Sequence, residues 1–233
     1  MTVPRPQLLA TVGGVPIRRG KGESAFFYTA GMTIDADGAP RAYHPPLRGR
    51  PSGSPPGLDD VRNAGSPGNW FGVVTDAHGH PVIQRRGQPA PGFFVSATSL
   101  VNRGNSRTDD PRRYIDASTI PYIVLPPSAM HVGHARLGDI AAVFNRRNER
   151  IAFGIFADVG PKLQIGEGSI ALAKALALPA DPKAGGVSER IILCVVFAGS
   201  GNGFGRPVRA IDRLGARLLR EWGGITRLRN TRP

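Results

Sequence analysis

Short apolar runs separated by turn residues are the feature of this chain that most constrains its fold. Runs of strand length, rich in β-branched and aromatic residues, recur along much of the sequence. They occupy residues 24–34, 70–76, 81–84, 92–100, 121–126, 139–145, 150–158 and 190–198. Turn pairs such as Asp37-Gly38 and His78-Gly79 stand between runs, and the chain contains 31 Gly and 22 Pro. The pattern therefore predicts a mainly β fold.

Only two segments carry strong helical signals. Residues 169–178 begin at the serine of the sequence Gly-Glu-Gly-Ser and end before Pro179. Residues 207–222 begin with a proline and end before two glycines, which is the usual asymmetry of helix ends. Many strands and few helices in this order predict a closed or partly closed β-barrel with a few peripheral helices.

The length of the chain sets its domain organisation. A chain of 233 residues is long enough for one large core and does not demand a second. We predict one domain over residues 1–233, with a core at about residues 24–205 and a basic C-terminal helix and tail at 207–233. The single cysteine, Cys194, excludes an intramolecular disulfide and lies in an apolar run, which indicates an inert buried thiol.

The charge of the chain is strongly positive, with 30 Lys+Arg against 17 Asp+Glu and a formal net charge of +13. Such a surplus attracts polyanions and repels polycations. Eight of the arginines lie between residues 206 and 232, on and after a helix whose apolar residues recur at steps of three or four. This spacing predicts a helix that docks on the barrel and turns its arginines to solvent. The arginines lack interleaved aromatics or a nucleic-acid motif, which argues against nucleic acid, although charge alone does not exclude it.

The sequence gives little indication of a membrane or a compartment. No apolar stretch approaches the roughly 18 to 20 residues of a membrane span. The first 14 residues lack the basic-then-apolar pattern of a secretory signal, so the compartment stays open. We expect a monomer.

Asp158 and Glu167 are the most informative polar pair in the sequence. Asp158 closes an apolar run that follows a hairpin-like turn at residues 147–149, and Glu167 opens a helix-like run nine residues later. A strand, a tight loop and a helix can bring both acids onto one rim. Paired carboxyl groups at the mouth of a groove suit glycosidic bond cleavage, in which one protonates the leaving oxygen and the other activates water or attacks the sugar. The alternative from spacing alone is structural, with an Asp in a turn and a Glu at a helix start.

The local surroundings suggest a role for each acid. Burial beside Phe156 and Ala157 would raise the pKa of Asp158, whereas a helix N-terminus would favour the ionised form of Glu167. On this basis Asp158 is predicted as the general acid and Glu167 as the general base.

Four sequence blocks carry a family resemblance. The blocks MTIDADG, IPYIVLP, AFGIFADVGP and IGEGSIALA lie in this order between residues 32 and 173. With them the chain resembles glycoside hydrolase family 75, the fungal and bacterial endo-chitosanases, over roughly residues 26–205. The resemblance implies that Asp158 and Glu167 are the two catalytic acids of an inverting, endo-acting hydrolase of β-1,4-linked amino-sugar polymers. It also implies no cofactor and a protein that is usually exported.

Analogy refines the expected architecture, and charge opens alternatives for the function. By analogy with other groove-forming enzymes that cleave glycans, we predict a six-stranded double-psi-like barrel. This analogy concerns the fold alone. Chitosan is a polycation, so a protein with a net charge of +13 would be expected to repel it. Peptidoglycan therefore stands as an alternative substrate, cleaved by a muramidase or lytic transglycosylase. A non-catalytic basic protein that binds polyanions is the alternative from another class.

Asp35 and Asp37 are candidates for substrate binding. Their sequence Asp-Ala-Asp-Gly begins like a calcium-binding loop, but the residue eleven positions after Asp35 is Pro46, so no metal site is predicted. A turn with hydrogen bonds from backbone to side chain is the favoured interpretation. If the two residues line the groove, they could bind the amino groups of glucosamine.

Half-polar aromatic residues are further candidates, because they can stack on sugar faces. Tyr28, Trp70 and Tyr122, with Tyr43 beside them, fit this description, and core packing is the alternative for each. Ser169 is a candidate for a polar substrate contact, and its alternative is a hydrogen bond at the start of a helix.

Overall fold

The computed structural model describes residues 6–46 and 56–232, which contain ten strands and four helices. The strands are β1 (Gln7–Val12), β2 (Val15–Arg19), β3 (Phe26–Asp35), β4 (Gly65–Ser66), β5 (Asn69–Trp70), β6 (Tyr122–Leu125), β7 (Ile140–Asn145), β8 (Arg150–Val159), β9 (Glu167–Ser169) and β10 (Val187–Phe197). The helices are α1 (Pro127–Gly133), α2 (Ile170–Ala175), α3 (Val208–Trp222) and α4 (Gly224–Asn230).

Six strands close into a mixed barrel in the order β3-β10-β7-β8-β6-β9, and β9 pairs back onto β3. The pairs β6–β8 and β3–β9 are parallel, and the other four are antiparallel. β1 and β2 form a hairpin that extends from β3. The predicted mainly β class and the six-stranded, double-psi-like barrel with a few peripheral helices are confirmed.

The apolar runs of the sequence fill the barrel. Every residue of β7 is buried, as is the last part of β10, and the large side chains of Phe26, Tyr122 and Phe156 are fully enclosed. β7 and β8 form the predicted hairpin, which starts from the pair Asn145 and Arg150. The hairpin carries β8 across the barrel and leaves Asp158 near its far end.

The register across β6 is the feature of the fold that assembles the site. Val124 on β6 pairs with Asp158 on β8 and, on its other side, with Glu167 on β9. Residues that pair directly across a sheet point to the same face. Asp158 and Glu167 therefore stand on one face, on either side of Val124. β9 also pairs with β3, which brings the end of β3 and Asp35 to the same region.

The two predicted helices are present with different bounds. α2 is shorter than predicted, and Ser169 caps it by accepting a hydrogen bond from the backbone N–H of Leu172 at 3.1 Å. α3 matches the prediction closely and packs against β8 at Gly215, where a Cβ atom would lie 2.4 Å from the ring of Phe153. The short helices α1 and α4 were not predicted.

The prediction of regular strands at residues 70–76, 81–84 and 92–100 was wrong. Apart from Trp70 in β5, these segments form isolated bridges, such as Val73 with Ser96 and Ile83 with Phe94. Pro81, Pro89 and Pro91 interrupt this region and lack the amide hydrogen that a ladder needs. Within the described residues, none of the helices has the length and apolar character needed to cross a bilayer.

Candidate active site

An open cleft of about 900 Å³ lies where the ends of β3, β6, β8 and β9 meet. Five carboxyl side chains line it, and all of them belong to the barrel strands or the loops that follow them or cover the cleft. They are Asp35, Asp37, Asp59, Asp158 and Glu167. Among the described residues lining the cleft, Arg62 is the only basic one, and it pairs with Asp60. The cleft therefore concentrates acidic groups in a positively charged protein.

Asp158 is half-buried at the end of β8 and is held by one residue of a distant loop. Ser99 donates to its Oδ1 from both the backbone N–H, at 2.7 Å, and the hydroxyl, at 2.6 Å. The same hydroxyl accepts from the N–H of Val159 at 3.2 Å, which fixes its direction. Burial raises the pKa of Asp158, and the hydrogen bonds from Ser99 oppose the rise because they stabilise the carboxylate.

Glu167 begins β9, three residues before the helix starts, so it does not lie in the first turn of α2. The preceding Gly166 has a φ of 96°, and a Cβ atom there would lie 2.5 Å from the carbonyl of Gly31. Burial, with smaller contributions from the nearby charges of Asp35 and Asp158, raises the pKa of Glu167 to about 8. Glu167 therefore holds its proton at neutral pH.

The backbones that carry Asp158 and Glu167 are separated by β6 alone. Two strand spacings amount to about 9.6 Å, which is of the order of the carboxyl separation that leaves room for a water molecule in inverting glycosidases. Gly160 keeps the space beside the pair open, because a Cβ atom at this position would lie 3.4 Å from Glu167 Oε2 and 2.8 Å from Val124 Cγ1.

Asp35 and Asp37 form the floor of the cleft, and two buried tyrosines hold them. The hydroxyl of Tyr122 lies 2.9 Å from Asp35 Oδ2, and that of Tyr43 donates to Asp37 Oδ1 at 2.7 Å. Asp35 Oδ1 also accepts from the backbone N–H of Asp37 at 2.8 Å, which is the predicted turn. Burial, followed by the charge of Asp158, raises the pKa of Asp35 to about 7, and burial raises that of Asp37 well above its usual value.

Oxygens of Asp35, Asp37 and Asp158 all lie within 4.8 Å of one another. This arrangement suits a bound cation, because each added positive charge relieves the repulsion among the carboxylates. A hard metal ion or a substrate ammonium group meets the same donor chemistry.

Three of the predicted substrate residues lie away from the cleft. Tyr28 is buried on β3 beside Cys194, and Ser169 is fully buried as the cap of α2. Trp70 packs against Phe94, with ring centroids 6.2 Å apart. None of the three is among the described residues that line the cleft, and the structure gives packing roles to Tyr28 and Trp70 and a capping role to Ser169. Tyr122 reaches the site only through its hydroxyl, as a support for Asp35.

The cleft includes residues that the sequence did not single out. Phe71 lines the cleft with 66% of its surface exposed, whereas its predicted neighbour Trp70 packs inward. Asp59 is buried at the cleft, where its Oδ1 accepts from the amide of Asn63 at 2.9 Å. Alternation along a strand would place the side chains of Trp70 and Phe71 on opposite faces. Because β5 ends at Trp70, strand alternation does not predict the position of Phe71. No local signal in the sequence marks Asp59.

Paired carboxyl groups in an open groove are the catalytic arrangement of most glycoside hydrolases, a class of carbohydrate-cleaving enzymes. Comparison with protein-family models matches residues 70–213 to the family described as fungal chitosanase of glycosyl hydrolase group 75. The match spans more than half of the chain, and the chain belongs to this family. It is a chitosanase-like glycoside hydrolase, as the sequence blocks predicted. A comparison with curated proteins found no match.

Proposed function

We propose that this protein is an endo-acting hydrolase of β-1,4-linked glucosamine polymers that works with inversion. The observation that carries the proposal is the register across β6, which sets Asp158 and Glu167 on either side of Val124 at the cleft. An open cleft of this size suits a polymer that enters and leaves without a free chain end.

Glu167 is the general acid and Asp158 the general base, the reverse of the roles expected from the sequence. Glu167 holds a proton at neutral pH because its pKa is about 8, and it donates this proton to the leaving glycosidic oxygen. Two hydrogen bonds from Ser99 favour the ionised form of Asp158. The carboxylate takes a proton from the water that attacks the anomeric carbon. The expectation from the sequence placed Glu167 near the N-terminus of a helix and used its dipole, whereas Glu167 lies on the strand that precedes the helix.

Asp35 and Asp37 bind the ammonium group of a glucosamine unit. Their oxygens converge with one of Asp158 within 4.8 Å, and their proton affinity is high because burial penalises their charge. An arriving ammonium group compensates this penalty and favours the ionised carboxylates. Phe71 offers an exposed ring at the same cleft, against which a sugar face can stack.

The cleft also answers the conflict between a charge of +13 and a cationic substrate. Charges on the surface are screened over about 10 Å at 0.1 M salt, whereas a chain inside the cleft meets the five carboxyl groups directly. This local field favours chitosan over peptidoglycan, whose stem peptides are acidic.

Hydrolysis of chitosan hexamers and of purified sacculi by the wild type, Asp158→Asn and Glu167→Gln tests the proposal. We expect cleavage of the hexamers, with a loss of about 10³-fold in each variant. Asp212→Asn, an exposed acid on α3, serves as the control and should retain full activity. Cleavage of sacculi alone would replace the substrate, and turnover of neither would favour a binding protein. A single glycoside hydrolase domain over residues 1–233 and a monomeric state both stay predictions.

A further inference from the structure

Four arginines form a continuous stripe on the outer face of α3. Arg209, Arg213, Arg217 and Arg220 follow one another at steps of four, four and three residues. At 3.6 residues per turn these steps confine them to an arc of about 80° and a length of about 16 Å. All four side chains are exposed. We call this set the arginine stripe.

The opposite face of α3 holds the stripe in place. Ile211, Gly215, Leu219 and Trp222 are buried on that face, and the helix packs against β8 and β7. The contact of Gly215 with Phe153 brings the helix backbone close to the barrel. The stripe is therefore a rigid surface and not a flexible tail.

The stripe is largely unneutralised within the described residues. Arg217 alone has an ion pair, at 3.7 Å with Glu221, and both side chains are 61% exposed, so the pair contributes little. The arginines of the neighbouring α4 differ, because Arg227 pairs with Glu23 and Arg229 with Glu149. Arg227 is the better buried of the two and serves the fold, whereas the arginines of the stripe are available to a partner.

Acidic residues limit the width of the stripe. Asp212 and Glu221 are both exposed, and helical geometry places one on each side of the arc, at about 60° before it and 40° beyond it. A bilayer or a nucleic acid duplex presents several rows of phosphates, and these acids would repel the outer rows. A single chain of phosphates touches only the arginines.

We propose that the arginine stripe is a docking surface for a single flexible chain of polyol phosphate, such as poly(glycerol phosphate). One guanidinium group can bind two oxygens of the same phosphate. A row of arginines therefore matches a row of phosphates. The outer face of α3 carries no aromatic side chain, since Trp222 is buried, so it offers no platform for nucleobases. The stripe does not line the cleft, so docking and hydrolysis are separate properties.

The test measures binding of poly(glycerol phosphate) chains of about ten repeats by titration at several salt concentrations. We expect binding whose log K falls with log salt at a slope of about −3, as for four contacts with a single-stranded chain. The variant R209Q/R213Q/R217Q/R220Q should bind at least tenfold more weakly and keep wild-type hydrolysis of chitosan hexamers. Gln preserves helix propensity at these exposed positions, so the variant should remain folded.

A matched control separates the stripe from the general charge of the protein. R85Q/R86Q/R136Q/R190Q removes four exposed arginines elsewhere and should leave binding within about twofold of wild type. Equal losses in the two variants, or no binding by the wild type, would overturn the proposal. The assigned partner would be overturned if the protein bound single-stranded DNA, duplex DNA or vesicles with one quarter anionic lipid as tightly per phosphate as poly(glycerol phosphate), or more tightly.

Discussion

The cleft and the arginine stripe place opposite charges in opposite physical settings. The five carboxyl groups of the cleft are partly or fully buried, and the pKa values of Glu167 and Asp35 rise to about 8 and about 7. The arginines of α3 are exposed to solvent. The net charge of +13 therefore describes the outer surface, whereas the chemistry of the cleft depends on a few charges that burial makes costly.

The largest difference between the two regions should appear when one charge is removed from each. We expect Asp35→Asn to lower kcat/KM on fully deacetylated chitosan hexamers by about 100-fold, as for a lost hydrogen bond between charged groups. The alkaline limb of the pH profile should also move to lower pH, because the charge of Asp35 raises the pKa of Glu167. Arg213→Gln should change neither quantity by more than about twofold. A similar loss in both variants would remove the distinction between the regions.

Stability should respond to buried and exposed acids in different ways. In the folded state Glu167 keeps its proton up to a pKa of about 8, whereas its usual value is 4.5, so its contribution to stability is lost as the pH rises between these values. Glu167→Gln should therefore raise the free energy of unfolding by about 4 kcal/mol at pH 8 and leave it nearly unchanged at pH 4. Denaturant unfolding at both pH values measures this. Asp212→Asn changes an exposed acid and should alter the free energy of unfolding little, whereas a destabilised Glu167→Gln at pH 8 would contradict the burial of a neutral Glu167.

Much of the barrel and of the site could be predicted from local sequence. The turn between β7 and β8 and the nine-residue step from Asp158 to Glu167 depend on neighbouring residues. The local sequence pattern therefore predicts both. The hydrogen bonds between Ser99 and Asp158 join residues 59 positions apart, and no periodicity records them. The roles that we propose for the two acids differ from the sequence-based expectation for the same reason, because the pKa of Glu167 depends on burial and on the charge of Asp35.

The smallest expected effect concerns an uncharged residue of the cleft. Phe71→Ala should raise KM for chitosan hexamers about fivefold and leave kcat nearly unchanged, since stacking holds a sugar away from the reacting bond. Leu163→Ala removes another large exposed side chain and is the control. Steady-state kinetics on both variants checks the prediction. A loss confined to kcat, or an equal change in the control, would show that Phe71 is not a stacking platform.

The roles of the two acids are tested most directly by a substrate whose leaving group needs no protonation. Hydrolysis of the β-fluoride of a glucosamine disaccharide should be compared with hydrolysis of chitosan hexamers in Glu167→Gln and Asp158→Asn. We expect Glu167→Gln to keep fluoride hydrolysis within about tenfold of wild type while losing about 10³-fold on hexamers, and Asp158→Asn to lose both activities. The opposite pattern, or full activity of either variant on hexamers, would contradict this assignment of roles.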